Sequence, residues 1–212
     1  MSLQEFIAGF IGASPIEIIA SISGFICIFL IIKRSIWCWF FGLIQVSLFS
    51  YIFFDAKLYS DAGLHVIYIG LQFYGWWNWQ SNRNQNLGEQ ALIIEPTRGR
   101  DFGLWLGVSL STAMILGYLM NTYTDASFAY ADAFTTCTSL VAQWLLTRRH
   151  LYNWLFWIAV DIVAIFVYFQ KGLYPTSVLY FTLLIMCFFG QYSWIREYKK
   201  QKASKPLKLL HG

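Results

Sequence analysis

The sequence predicts an all-α integral membrane protein, with seven transmembrane helices in a 3+1+3 parallel repeat: two three-helix repeats of the same sense, with one helix between them. Three observations predict it. The 212 residues are 58% hydrophobic and only 12% charged, whereas soluble domains carry about 25% charge, so a water-soluble globule could not cover its surface. Seven stretches approach the roughly 20 apolar residues that a helix needs to cross a bilayer, without the alternation of barrel strands. Finally, a shift of 115 residues lays 15–79 on 130–194 without a gap; 11 of 65 positions are identical, and span ends fall on span ends. The 42 aromatic residues, with only 4 Pro and 15 Gly, exclude disordered, collagenous and low-complexity chains.

The elements follow in order. Residues 1–15 form an N-terminal segment too short to span, expected at the outer interface. The first repeat, 16–79, holds spans 16–32, 36–54 and 62–79. No basic stretch precedes the first span and no small-residue cleavage site follows it, so it reads as a retained helix rather than a signal peptide. A loop and linker helix occupy 80–128, with the helix at 102–120. Three spans are odd in number, so adjacent repeats would run in opposite senses, and the linker helix restores the common one. The second repeat, 131–194, lies within spans 129–146, 151–169 and 176–195, and a basic cytoplasmic tail follows at 195–212. At the offset, Lys33-Arg34 falls on Arg148-Arg149, Trp39 on Trp154, Leu58-Tyr59 on Leu173-Tyr174, Gly75 on Gly190 and Trp79 on Trp194.

Charge sets the orientation. Of the 15 basic residues, only Lys57 and Lys171 fall on the side of the N-terminus; the other 13 fall opposite. Lys and Arg mark cytoplasmic loops, so the N-terminus is expected outside and the C-terminus inside. Cys27, Cys38, Cys137 and Cys187 lie within spans and are expected to be reduced and packed, with no metal-ligand spacing.

Parallel-repeat transporters place their substrate near mid-bilayer between the halves. Polar residues inside spans are costly there and point to function. Asp161 lies halfway along the sixth span, Gln45 in the second and Gln72 in the third. In the third span Asp61, His65, Tyr68, Gln72, Trp76 and Trp79 follow at helical steps and form one polar-aromatic face. Asp132, Thr136, Ser139 and Gln143 do the same in the fifth, and Asn153, Trp157 and Asp161 in the sixth. The seventh offers Thr176, Tyr180, Cys187, Gln191 and Trp194. Carboxylate, indoles and amides together suit a polar, flat, cationic solute. Competing roles stand beside this one. Trp39, Trp76 and other tryptophans near the cytoplasmic boundary also fit an interfacial belt or packing. Glu17, Asp61 and Asp132 also fit helix caps or water-facing positions, His65 a packed polar residue, Asn153 a cap and Gln72 a helix–helix bond.

Tyr74-Gly75-Trp76-Trp77-Asn78-Trp79 resembles the YGWxxW signature of PnuC-type vitamin transporters. The stretch Val141–Gly172 resembles that family's most recognisable segment, with Asn153-Trp154, Trp157 and Asp161 matching NWxxWxxxD/N. Ile36-Trp37-Cys38-Trp39 and Leu58-Tyr59-Ser60-Asp61 also fit, and the likeness covers about residues 15 to 195. Gln45 stands where many members carry Asn, and His65 where Gln is common. The resemblance implies a SWEET-like 3+1+3 fold, a homotrimer in the bacterial inner membrane, and import of nicotinamide riboside by facilitated diffusion, trapped by cytoplasmic phosphorylation. Relatives carrying thiamine or riboflavin leave those vitamins open. The substrate-binding set expected is Asp161, Trp157, Asn153, Gln72, Trp76, Gln45, Tyr68, His65, Gln143 and Trp39. No cofactor, metal or nucleic acid is expected, only a small-molecule vitamin and the lipid bilayer. The alternatives have less support: no Lys lies inside a span to hold retinal, no GxSxG, HExxH or ATP-binding loop marks an enzyme or pump, and a SWEET-like sugar carrier would not need the carboxylate–aromatic cage.

Overall fold

The computed structural model describes residues 14–55, 59–85, 92–96, 99–124 and 128–208. Among them are seven helices: α1 Pro15–Ile32, α2 Trp37–Asp55, α3 Tyr59–Gln85, α4 Gly99–Tyr123, α5 Ala129–Thr147, α6 Asn153–Gln170 and α7 Tyr174–Lys208. Residues 1–13 of the expected interfacial segment, Lys57 and the last four residues lie outside the described residues. Five helices are long and apolar enough to cross a membrane by length and composition: α1, α2, α4, α6 and the 176–203 part of α7. The other two, α3 and α5, carry the polar-aromatic faces read from the sequence, which lowers their mean hydropathy. Of that face in α5, Ser139 and Gln143 are buried and Asp132 and Thr136 half-buried, while Thr138 and Thr147 beside it are buried as well.

Three helices outrun their expected spans, the fourth by three residues at each end, from 102–120 to Gly99–Tyr123, and two by more. The third extends from 62–79 to Tyr59–Gln85, and the seventh from 176–195 to Tyr174–Lys208. Residues 196–203 read REYKKQKA, mostly strong helix formers, so the helix continues where the apolar stretch stops.

The chain divides into two compact units, residues 1–93 and 94–212. In the first, α2 packs against both α1 and α3. In the second, α4 packs on α5, α5 on α6 and α6 on α7. Adding 115 to the ends of α1 gives 130–147, against the observed Ala129–Thr147; α2 maps to 152–170, against Asn153–Gln170. Tyr59, which opens α3, maps onto Tyr174, which opens α7.

Helix ends explain part of this match. Ser14 and Glu17 cap α1 reciprocally: Glu17 N–H donates to Ser14 Oγ at 3.3 Å, and Ser14 N–H to Glu17 Oε2 at 2.6 Å. Helix α1 ends in a Schellman turn, with Ser35 N–H on Leu30 O and Arg34 N–H on Ile31 O, both at 2.9 Å. Helix α5 ends identically, with His150 N–H on Leu145 O and Arg149 N–H on Leu146 O, again at 2.9 Å. The left-handed residue is Arg34 (φ 58°) in one and Arg149 (φ 62°) in the other. A third such turn closes α6, with Gly172 (φ 72°) in that place.

Packing repeats too. A Cβ on Gly75 would overlap the Trp39 ring, and one on Gly190 would lie 2.5 Å from the Trp154 ring. Each tryptophan also meets a second edge-on: Trp39–Trp79 at 5.1 Å and Trp154–Trp194 at 5.7 Å. Small residues let membrane helices approach closely, and here each glycine makes room for an indole from the neighbouring helix. Ser50 of α2 donates to Ala62 O of α3 at 3.4 Å. At the shifted positions the direction reverses, and Ser177 of α7 donates to Ile165 O of α6 at 3.1 Å.

Helix α4 joins α5 through a buried Ser109–Thr138 hydroxyl pair at 2.8 Å and through Gly117 against Tyr130. Before α4, Glu95 bridges the α5–α6 turn: its N–H donates to Arg149 O at 3.0 Å and its carbonyl accepts from Leu151 N–H at 3.1 Å. Arg149 also pairs with the Glu95 carboxylate at 3.6 Å, and Ile94 N–H donates to Gln201 Oε1 of α7 at 3.1 Å. Along α7, Phe181, Ile185, Phe188 and Tyr192 form an exposed apolar stripe at helical spacing, the surface expected against lipid tails.

Candidate functional site

The predicted residues fall into two groups, one in each unit. In the first unit, Gln45 of α2 lies against Gly24 of α1, where a Cβ would sit 2.7 Å from its amide nitrogen. Gln72 of α3 is buried against Gly42 of α2, so both amides sit in notches that only glycine leaves. His65 lies in an aromatic cluster, 5.0 Å from Phe53, 5.9 Å from Phe49 and 5.8 Å from Tyr68, centroid to centroid. Trp76 is half-buried on the same helix. Trp39 is 1% exposed, packed on Gly75 and Trp79, with its indole nitrogen buried and unbonded. Its position is that of a packing residue.

In the second unit, Asp161 is 3% exposed, and its Oδ2 accepts a hydrogen bond from Cys187 Sγ of α7 at 3.3 Å. Asn153 is fully buried at the first turn of α6, where its amide donates to His150 O at 2.8 Å and its Oδ1 has no partner. Trp157 packs on the cluster of Val141, Ala142, Leu145 and Phe156, joined by Phe102 and Trp105 of α4. Gln143 is buried on α5, one turn from Ser139, whose hydroxyl donates to Thr136 O at 3.0 Å. The residues weighed as caps resolve differently. Glu17 caps α1, while Asp132 pairs with Lys171 at 3.2 Å; the Asp61 side chain lies outside the described residues.

The sequence puts Cys187 on the seventh-span face but outside the expected binding set. The signal that identifies it is the offset, because Cys187 occupies the position of Gln72, and Trp157 and Asp161 those of Gly42 and Val46. At one level of each unit, the third helix therefore presents a polar head to the middle helix. All four cysteines are free thiols.

The basic side chains lie toward the helix ends and connections. Among the described residues every Lys and Arg sits near a helix end, in a connection or beyond position 195. His150, in the α5–α6 turn, has its pKa pushed below the ordinary imidazole value, first by burial and then by Arg148 and Arg149, against the opposing pull of Glu95 and Asp101. An open groove of about 510 Å³ between α2 and α3, lined by Ser47, Ser50, Tyr51, Phe54, Ala62, Gly63, Val66 and Ile69, contains none of the predicted residues. The groups available for chemistry are thus a carboxylate, amides, a thiol and aromatic rings, which can bind and orient a polar solute.

Known proteins match this arrangement over nearly the whole chain. The nicotinamide mononucleotide transporter family profile matches residues 14–196. The nicotinamide riboside transporter PnuC of Escherichia coli (strain K12) is 28% identical over 224 residues, covering 94% of this chain and 92% of the relative. The riboflavin/roseoflavin transporter RibM of Streptomyces davaonensis is 20% identical, over 84% of this chain and 83% of its own. The crystal structure of the vitamin B3 transporter PnuC matches with a TM-score of 0.72 and 25% identity, covering 93% of this chain and 88% of that one. Seven helices, polar residues buried within them and a family match across 14–196 make this chain a member of the nicotinamide mononucleotide transporter family, a family of multi-pass membrane transporters rather than enzymes.

Proposed function

We propose that the protein imports nicotinamide riboside across the bacterial inner membrane by facilitated diffusion. In this reading the two three-helix repeats, 16–79 and 131–194, run in the same sense, and transport proceeds by alternating access, the site opening to one side at a time. The N-terminus is outside and the C-terminus cytoplasmic, as the basic residues favour. Cytoplasmic phosphorylation traps the substrate, and the family resemblance carries the homotrimer.

The observation that carries the substrate assignment is Asp161, a buried carboxylate in a membrane helix whose partner is a neutral thiol. A carboxylate in that setting attracts a cation, and nicotinamide riboside brings a positively charged pyridinium. The same observation separates the riboside from its phosphorylated form. A mononucleotide adds a phosphate, and among the described residues no Lys or Arg lies mid-helix to receive it. Riboflavin carries no positive charge, so it would leave Asp161 buried without a counter-ion. Thiamine is cationic and shares the same recognition chemistry.

The test is a titration of purified protein with nicotinamide riboside, thiamine and riboflavin, read by tryptophan fluorescence, alongside uptake by Asp161→Ala. Nicotinamide riboside binds most tightly, and Asp161→Ala loses uptake by roughly a hundredfold or more while keeping its fold. Normal uptake by a folded Asp161→Ala variant overturns the assignment.

A further inference from the structure

The only hydrogen bond to Asp161 formed among the described residues comes from a thiol. Cys187 Sγ lies 3.3 Å from Oδ2, and both side chains are buried, at 5% and 3% exposure. A Lys or Arg in that place would cancel the carboxylate's charge. A thiol is a neutral, weak donor, so it fixes one oxygen and brings no positive charge of its own.

The first unit supplies an independent observation. Its residue at the position of Cys187 is Gln72, also buried and also turned onto the middle helix, over Gly42. In both units this position on the third helix places a polar head against the middle helix. The carboxylate exists only in the second unit, and there the head is one that binds an anion without neutralising it.

We propose that Cys187 is a positioning residue for the cationic substrate: its thiol holds Oδ2 of Asp161 through a neutral hydrogen bond, so that the carboxylate is oriented toward the substrate's positive ring with no competing cation beside it. This rests on the nicotinamide riboside reading. It predicts that removing the donor weakens binding of the cation and leaves binding of an uncharged analogue of the same outline unchanged.

The test uses the purified full chain and two probes, nicotinamide riboside and its reduced dihydro form, whose ring is uncharged. In Cys187→Ala, and in Cys187→Val, which fills the space without donating, affinity for the charged riboside falls about five- to tenfold, and affinity for the reduced form stays within about twofold. Cys187→Ser, whose hydroxyl donates the same bond, keeps the wild-type ratio. Equal losses for both probes would assign Cys187 to packing alone and overturn the proposal, as would unchanged binding of both. Failure of the wild-type protein to bind nicotinamide riboside at all overturns the substrate reading, and the proposal with it. That outcome is distinct from wild-type binding that the Cys187 variants leave untouched.

Discussion

Where Gln72 of α3 lies over Gly42, the chain 115 residues later has Cys187 donating to Asp161, on the helix that carries Trp157 in the place of Gly42. The helices around these positions begin and end at matching places, their turns share the same hydrogen bonds, and the same glycine–indole notch recurs. The units therefore agree in what fixes the backbone and differ in the polar groups set between their helices. One unit offers amides and an imidazole among rings; the other offers a carboxylate, a thiol and a buried asparagine. A duplicated scaffold can hold two different surfaces because helix ends and close-packed notches depend on few positions. The polar positions between them are then open to change.

The largest expected effect tests the shared scaffold. Gly75→Ala and Gly190→Ala each drive a methyl group into an indole ring, and each lowers stability by about 1–3 kcal/mol, read as thermal unfolding in detergent. Gly63→Ala, which meets nothing within 4 Å, does not. A silent Gly190→Ala beside a damaging Gly75→Ala would break the equivalence of the two notches. A smaller effect tests the reversed hydrogen bond. Ser50→Ala and Ser177→Ala each cost about 0.6 kcal/mol, typical of interhelical bonds in membranes, with Ser177 the larger because its bond is 3.1 Å against 3.4 Å. Equal stability of both variants and the wild type would remove these bonds from the account.

The smallest effect belongs to one unit alone. His150 stands where the first unit has Ser35, and its pKa lies below the ordinary value, chiefly through burial. The unfolded imidazole takes up its proton first as pH falls, so stability declines from the ordinary histidine value down to the folded one. His150→Gln flattens the stability profile between pH 7 and pH 5; an unchanged profile would rule out His150 as its source.

Much of the scaffold was readable from the residues alone. The repeat offset anticipated where helices begin, because Tyr59 and Tyr174 or Trp39 and Trp154 stand at equal spacing. The overrun of α7 past position 195 was not legible, since hydropathy marks where the bilayer ends rather than where a helix does. The bridge from Glu95 to the α5–α6 turn was also hidden: it uses backbone groups, which leave no mark in side-chain patterns. At the site, Asp161 and Gln72 stood out as polar residues within apolar runs and are indeed buried. Trp39 carried the same aromatic signal as a binding residue, yet Gly75 opposite it makes room for packing. A glycine and a tryptophan that recur together at a fixed offset are the sequence mark of that packing. The Cys187–Asp161 bond joins two helices, and no single-helix periodicity could disclose it.

The three Schellman turns differ in the residue that takes the left-handed position. A left-handed residue suits glycine, and any other side chain there costs about 1–2 kcal/mol. The turn after α6 has Gly172, yet the turns after α1 and α5 have Arg34 and Arg149. In the proposed orientation the glycine turn faces outward and both arginine turns face inward. The choice of residue thus tracks the side of the bilayer rather than the demands of the turn, which are the same in all three. Each arginine makes its turn a little less stable, and in that orientation it adds to the basic charge that favours a cytoplasmic loop. Backbone strain and loop charge are thus carried by the same single residue at each of these two turns.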